Sequence, residues 1–177
     1  MSLLRFLGLG GEKKKTSRVS QRDTATVRKI AARLERLDSE TAKYLAAFAY
    51  VLARVAHADL SIDSEETTAM EGIVSKVTDL APEEASLVIE IAKSQARLLG
   101  GTENYVVTRQ FRQISTWEQR GKLLECLFAV AAADGSITGP ESGEILAIAE
   151  ELGFTRAEAN ALRSSYREML SEFQSGS

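Results

Sequence analysis

"VLARVAHADLSIDSEETTAM" (residues 51–70) and "CLFAVAAADGSITGPESGEI" (residues 126–145) are two versions of one stretch. Each carries an apolar segment into a tight acidic turn and out into another periodic segment. An offset of 75 pairs Val55 with Val130, Ala56 with Ala131, Ala58 with Ala133 and Asp59 with Asp134. It also pairs Ser61 with Ser136, Ile62 with Ile137 and Glu66 with Glu141. Beyond Lys76 the offset becomes 74, so Leu80 meets Phe154, Glu84 meets Glu158 and Val88 meets Leu162. The repeat predicts two units, about 40–99 and about 116–173, each a helix, an acidic turn, a helix, a short link and a helix. Neither unit has an obvious core of its own, so both are expected to pack into one domain.

Outward from these turns the pattern is helical. "TVRKIAARLERL" puts Val27, Ile30, Ala31, Leu34 and Leu37 on one face. "SETAKYLAAFAYVLARVAHAD" is apolar nearly all round, which predicts a central buried helix. Further helices are expected near Asp63–Leu80, from Pro82 to about Leu99, over "ENYVVTRQFRQIS", over "TWEQRGKLLECLFAVAAAD", and from Gly139 to Leu152. The last should start at Thr155 and run to about Phe173. Thr116 with Gln119 and Thr155 with Glu158 have capping-box spacing, and the Gly100–Gly101 pair and Gly153 are stop signals. No strand pattern is present.

At 177 residues the chain can bury a sizeable core, and 44% apolar residues with two prolines favour a helical globule. The lone Cys126 lies in an apolar run, excludes an internal disulfide or Cys-rich zinc site, and reads as an inert buried thiol. No apolar stretch reaches the ~18 residues that span a bilayer, and "MSLLRFLGLGG" is too short for a secretory leader, so a cytoplasmic location is expected. Charge is uneven. Residues 1–36 hold ten Lys/Arg and three Asp/Glu, a net of +7; the rest holds twelve and twenty-two, a net of −10. Residues 1–19 read as a flexible basic arm on an acidic body, residues 20–177.

The acidic turns are the candidate site. An EF-hand takes ligands from positions one, three and five, a carbonyl from seven and a glutamate from twelve. Asp134, Gly135, Ile137 and Glu141 fit positions five, six, eight and twelve, but positions one and three fall on Val130 and Ala132. In the first turn those places hold Val55 and His57, so neither is a complete EF-hand. A structural reading covers much of the rest. Asp63 with Glu66, and Thr138 with Glu141, are capping boxes; Gly135 ends a helix in the left-handed conformation; Ile62 and Ile137 plug the core. Caps and plugs leave Asp59 and Asp134 unexplained, since a carboxylate at a helix C-terminus opposes the dipole by roughly 0.3–1 kcal/mol. A divalent cation held by Asp59, Asp63 and Glu66, or by Asp134 and Glu141, would answer that charge; so would a hydrogen bond from each aspartate to its own turn. Hard oxygen donors suit Ca²⁺, Mg²⁺ or Mn²⁺. His57 lacks a second zinc-type ligand, and Trp117 at a helix start reads as core.

The doubled turns, "VAHADLSIDSEE" and "VAAADGSITGPESGE", resemble those of the TerB family, the tellurite-resistance B-like proteins. "NYVVTRQFRQISTWEQRGKLLECLFAVAAADGSI" resembles the middle of its short, uncharacterised bacterial branch, and the resemblance spans roughly Glu40 to Tyr166. It implies an all-α, single-domain bundle of seven to eight helices built from two similar halves. It also implies a cytoplasmic or membrane-peripheral stress-response protein with a divalent-metal site, whose matching residues here are Asp59, Asp63, Glu66, Asp134 and Glu141. Leu60 stands where the first turn often has glycine, and Thr138 stands opposite Asp63, which leaves the second turn one carboxylate fewer.

The leading expectation is a non-enzymatic module that binds a divalent cation, uses no organic cofactor and docks protein partners. The alternative is a membrane-surface adaptor anchored by "MSLLRFL" and Lys13–Lys15. Nucleic-acid binding ranks lower, because the basic arm lacks interleaved aromatics and the body is acidic. Catalysis ranks last, for want of a nucleophile motif and with one histidine.

Overall fold

The computed structural model describes residues 21–56, 64–98, 104–133, 135–170 and 174. Eight α-helices are formed among them: α1 (Gln21–Glu35), α2 (Ser39–Ala56), α3 (Ser64–Val77), α4 (Pro82–Leu98), α5 (Asn104–Ile114), α6 (Trp117–Ala131), α7 (Gly139–Glu151) and α8 (Arg156–Ser164). A single 3-10 turn, Arg167–Met169, follows. No strand forms among the described residues; Ile137 and Leu170 make one isolated parallel bridge. The basic arm expected over residues 1–19 lies outside the described residues.

Helix α2 is the axle of the bundle. Leu45 to Ala53 are all buried, as are Ala42 and Val55. Helices α1, α4, α5, α6 and α7 all pack against it. A helix apolar on every side can hide only in this way, surrounded by others. Neighbouring helices supply one apolar face each, such as Leu123, Leu124, Leu127 and Phe128 from α6. Each fully buried Leu or Phe side chain contributes roughly 1.5–3 kcal/mol relative to exposure.

The helix starts follow the predicted caps. Thr116, Thr138 and Thr155 each have extended backbone and close a reciprocal box with Gln119, Glu141 and Glu158. Asp38 caps α2, its Oδ2 accepting the Thr41 N–H at 3.0 Å. Hydrogen bonding from the Thr41 side chain and amide holds the Asp38 carboxyl below its usual pKa.

Two sequence expectations fail. The last helix was expected to reach Phe173 but ends at Ser164. The apolar spacing Leu162, Tyr166, Leu170 mimics a continuing helix, but the chain tightens instead. The Ser165 and Tyr166 amides bond to carbonyls three residues back, and Leu170 ends up buried beside Ile137. Trp117 is not core either. It is 51% exposed, with one face on Phe154 at a centroid distance of 4.3 Å.

Cys126 does lie in the core, and burial pushes its thiol pKa from 9.0 to about 12. Burial likewise pushes Tyr44 from 10.0 to about 12, with nearby negative groups adding to it. Both groups keep their protons longer in the folded chain than in the unfolded one. Their contribution is therefore full below about pH 9 and is lost as pH rises through about 12. Thermal melts should show Tm falling from about pH 9 upward, and Cys126→Ala should flatten the first part of that fall. An unchanged Tm slope in the variant would refute the assignment to Cys126.

Candidate functional site

The second acidic turn is an elbow between α6 and α7. Helix α6 ends as the Ala132 N–H bonds to the Phe128 carbonyl at 2.9 Å. The Gly135 N–H then bonds to the Ala132 carbonyl at 2.9 Å, and Gly135 takes φ +94°, which costs a side-chain-bearing residue strain. Ile137 turns inward and is 1% exposed. Its N–H donates to the Met169 carbonyl at 2.6 Å. From the other side the Gln174 amide donates to the Gly135 carbonyl at 2.8 Å and to the Glu168 carbonyl at 3.1 Å. The elbow is thus braced at both its glycine and its plug by residues more than thirty positions later.

Glu141 is the one candidate ligand whose side chain is described. It folds back across the elbow rather than out to solvent. Its Oε2 accepts the Thr138 N–H at 2.7 Å and the Thr138 hydroxyl at 3.0 Å, while its own N–H donates to Thr138 Oγ1 at 3.3 Å. This is the capping box that the sequence predicted. Asp59, Asp63 and Asp134 lie outside the described residues, as do His57 and the Glu66 side chain, although Glu66 belongs to α3. Among the described residues no group of three His, Cys, Asp or Glu side chains converges as a metal site would require. Cys126, buried and with its pKa near 12, offers no nucleophile.

An ionic clamp that the sequence reading did not find joins the C-terminal end of α2 to α5 and α7. Arg54, in the last turn of α2, has a side chain only 7% exposed. Its Nε donates to Glu144 Oε1 at 2.8 Å, and its Nη1 reaches Glu151 Oε2 at 2.6 Å and Thr108 Oγ1 at 2.8 Å. One guanidinium therefore joins α2, α5 and α7. Burial opposes its charge, but hydrogen bonds and attraction from Glu151 and Glu144 outweigh that and raise its pKa. Arg54 lies shortly before the first acidic turn, and Glu144 lies one turn after Glu141. The clamp ties the helix that enters one turn to the helix that leaves the other. Its only sequence signal is a lone charge inside "YLAAFAYVLARVA"; its partners are 90 and 97 residues away.

A shallow cleft of about 190 Å³ adjoins the elbow, lined by Ile137, Thr138, Ser142, Leu146, Arg163 and Leu170. Arg163 Nε donates to Ser142 Oγ there at 2.9 Å. A wider cleft of about 450 Å³ continues between α7 and α8, past Leu146 to Glu150 and Arg156. No helix among the described residues is long and apolar enough to cross a membrane.

Among known protein families, the model described as "Tellurite resistance protein TerB" matches residues 45–164. That span contains both acidic turns, the clamp and all but the first part of the bundle. No match was found among curated proteins or among solved structures.

Proposed function

Since the chain belongs to the tellurite resistance protein TerB family, we propose that it is a non-enzymatic module that binds a divalent cation at its acidic turns and docks protein partners in a stress response. The observation that carries this reading is the braced second elbow, with the Glu141 carboxylate folded back over it. A loop fixed before its ligand arrives loses little entropy on binding. The Glu141 carboxylate keeps acceptor capacity beyond its two bonds to Thr138. Residues Asp59, Asp63, Glu66 and Asp134 would complete the oxygen donors, and Ca²⁺, Mg²⁺ or Mn²⁺ is the class they fit. The stress role rests on the family's description alone.

Two ligand places of each turn lack an oxygen donor, held by Val55 and His57 in the first and by Val130 and Ala132 in the second, so binding should be weak, with a Kd of roughly 100 µM. At about 10 mM cation that amounts to about 2.7 kcal/mol, or a Tm rise of roughly 5–10 °C. Calorimetric titration with each cation measures it, with Asp59→Ala/Asp134→Ala as the blank. Glu141→Gln is the sharper control. The same fold closes a box on Gln119 at the start of α6, so a glutamine suffices for the cap. Glu141→Gln should leave the metal-free Tm nearly unchanged and abolish most of the cation-induced rise. No heat and no Tm change with any of the three cations at 10 mM would refute the proposal.

A further inference from the structure

At the corner where α5 meets α6, Ile114 is 43% exposed and Trp117 is 51% exposed. They are two of the three large apolar side chains that stand exposed among the described residues. Trp117 packs on Phe154 and still exposes half of its surface. Arg120 lies over the indole, its Cζ 6.0 Å from the ring centroid. It is pinned by donating to the Ser115 carbonyl at 3.0 Å and to Ser115 Oγ at 3.2 Å. Arg112 lies on the other side, over the bare Cα of Gly153. A Cβ at Gly153 would sit 3.1 Å from both Cζ and Nη2 and 3.2 Å from Nε, so the guanidinium lies face-on there. Gly153 has φ +96°, which also favours glycine, and Phe154 under the indole is the next residue.

Neither Arg112 nor Arg120 pairs with a carboxylate among the described residues. In a body of net charge −10 over residues 37–177, two guanidiniums with no carboxylate partner among the described residues, beside a half-exposed indole, form a local cationic, apolar surface. We propose that this corner docks a short acidic segment of a partner protein, with an apolar side chain seated on Trp117 and carboxylates on Arg112 and Arg120. Guanidiniums bind carboxylates through paired hydrogen bonds, and Trp and Arg anchors dominate small interfaces. Two apolar side chains fall short of the ~800 Å² per partner that a stable dimer buries, so a second copy is not the occupant. A nucleic acid would bring many phosphates against an acidic body, whereas a short segment brings only the few charges the corner can meet. The proposal deepens the partner-docking half of the function proposed above and is independent of the cation half.

Trp117 is the only tryptophan of the chain, so its emission reports directly on the corner. The probe is a twelve-residue Glu/Asp peptide with a Phe-Leu pair at its centre, titrated in the presence of a chelator. The chelator keeps the result separate from the cation titration. A saturable blue shift with a Kd of roughly 10–100 µM is expected, within the range of weak peptide contacts. Arg112→Ala should weaken it about tenfold or more, while substituting the exposed Arg28 of α1 by alanine (Arg28→Ala) should leave it unchanged. Circular dichroism confirms that the Arg112 variant folds, and that side chain makes no hydrogen bond or ion pair among the described residues. No emission change up to about 1 mM peptide, equal binding by the same peptide with lysines in place of its acids, or an unaffected Arg112→Ala would overturn the proposal. Tighter binding of single-stranded oligothymidylate than of the acidic peptide would overturn it in favour of nucleic acid.

Discussion

Arg54→Ala should cost roughly 3–5 kcal/mol of folding stability, because it leaves two carboxylates facing each other without their cation. Arg54 is 7% exposed and Glu151 is 17% exposed, so water cannot replace the guanidinium at Glu151. Glu144, at 37%, retains some solvent and suffers less. Thr108 is fully buried and loses a hydrogen bond as well. With a urea m-value of roughly 2 kcal/mol/M, the unfolding midpoint should fall by about 2 M. Arg54→Lys should fall between the two, since one ammonium cannot span both carboxylates and the hydroxyl in a fixed fork. The decisive variant removes all the charges together. Arg54→Met/Glu144→Leu/Glu151→Leu should recover most of the loss, because the penalty comes from unpaired burial rather than from a missing attraction. If the single substitution costs under about 1 kcal/mol, the pair is effectively solvated and the clamp has no structural weight.

Phe111→Ala should be comparably damaging, at roughly 3–5 kcal/mol. Phe111 is fully buried and meets Tyr44 at 5.5 Å and Phe48 edge-on at 6.2 Å. Truncation removes its apolar area and leaves a void that α2, packed on all sides, cannot relax to fill. Phe111→Leu should cost much less, about 1.5 kcal/mol or below, because most of the volume stays. Thr108 sits one turn earlier on α5 and bonds to Arg54, so the two effects should not add. A double-mutant cycle between Phe111→Ala and Arg54→Ala should show coupling of roughly 0.5–3 kcal/mol. Strict additivity would mean that α5 holds its place without the aromatic contact.

The helices were legible because each rule behind them is local. A threonine three residues before Glu or Gln sets a start whatever lies elsewhere, and three such boxes formed where the residues demanded them. The all-round apolar character of α2 announced a central helix, since no other place satisfies it. The elbow was legible in part: Gly135, Ile137 and the Thr138–Glu141 pair took their expected places. What failed depended on distant partners. The bridge from Ile137 to Leu170 stopped α8 early, although its apolar spacing favoured a longer helix. Trp117 looked like core by hydrophobicity, but its position at the start of a helix put it on a corner where half of it stays exposed. The clamp was invisible because Glu144 and Glu151 look like ordinary solvated charges on a helix until α2 and α5 are laid against them.

The bonds that close the second elbow come late in the chain. Ile137 donates to the carbonyl of Met169, and Gly135 accepts from Gln174. Met169 and Gln174 lie beyond the end of α8, so the hairpin of α6 and α7 does not by itself contain the groups that brace its turn. A chain shortened to end before Met169 should keep the α6–α7 hairpin and lose the brace of its turn, and on the proposed reading it should bind a cation more weakly than the full chain.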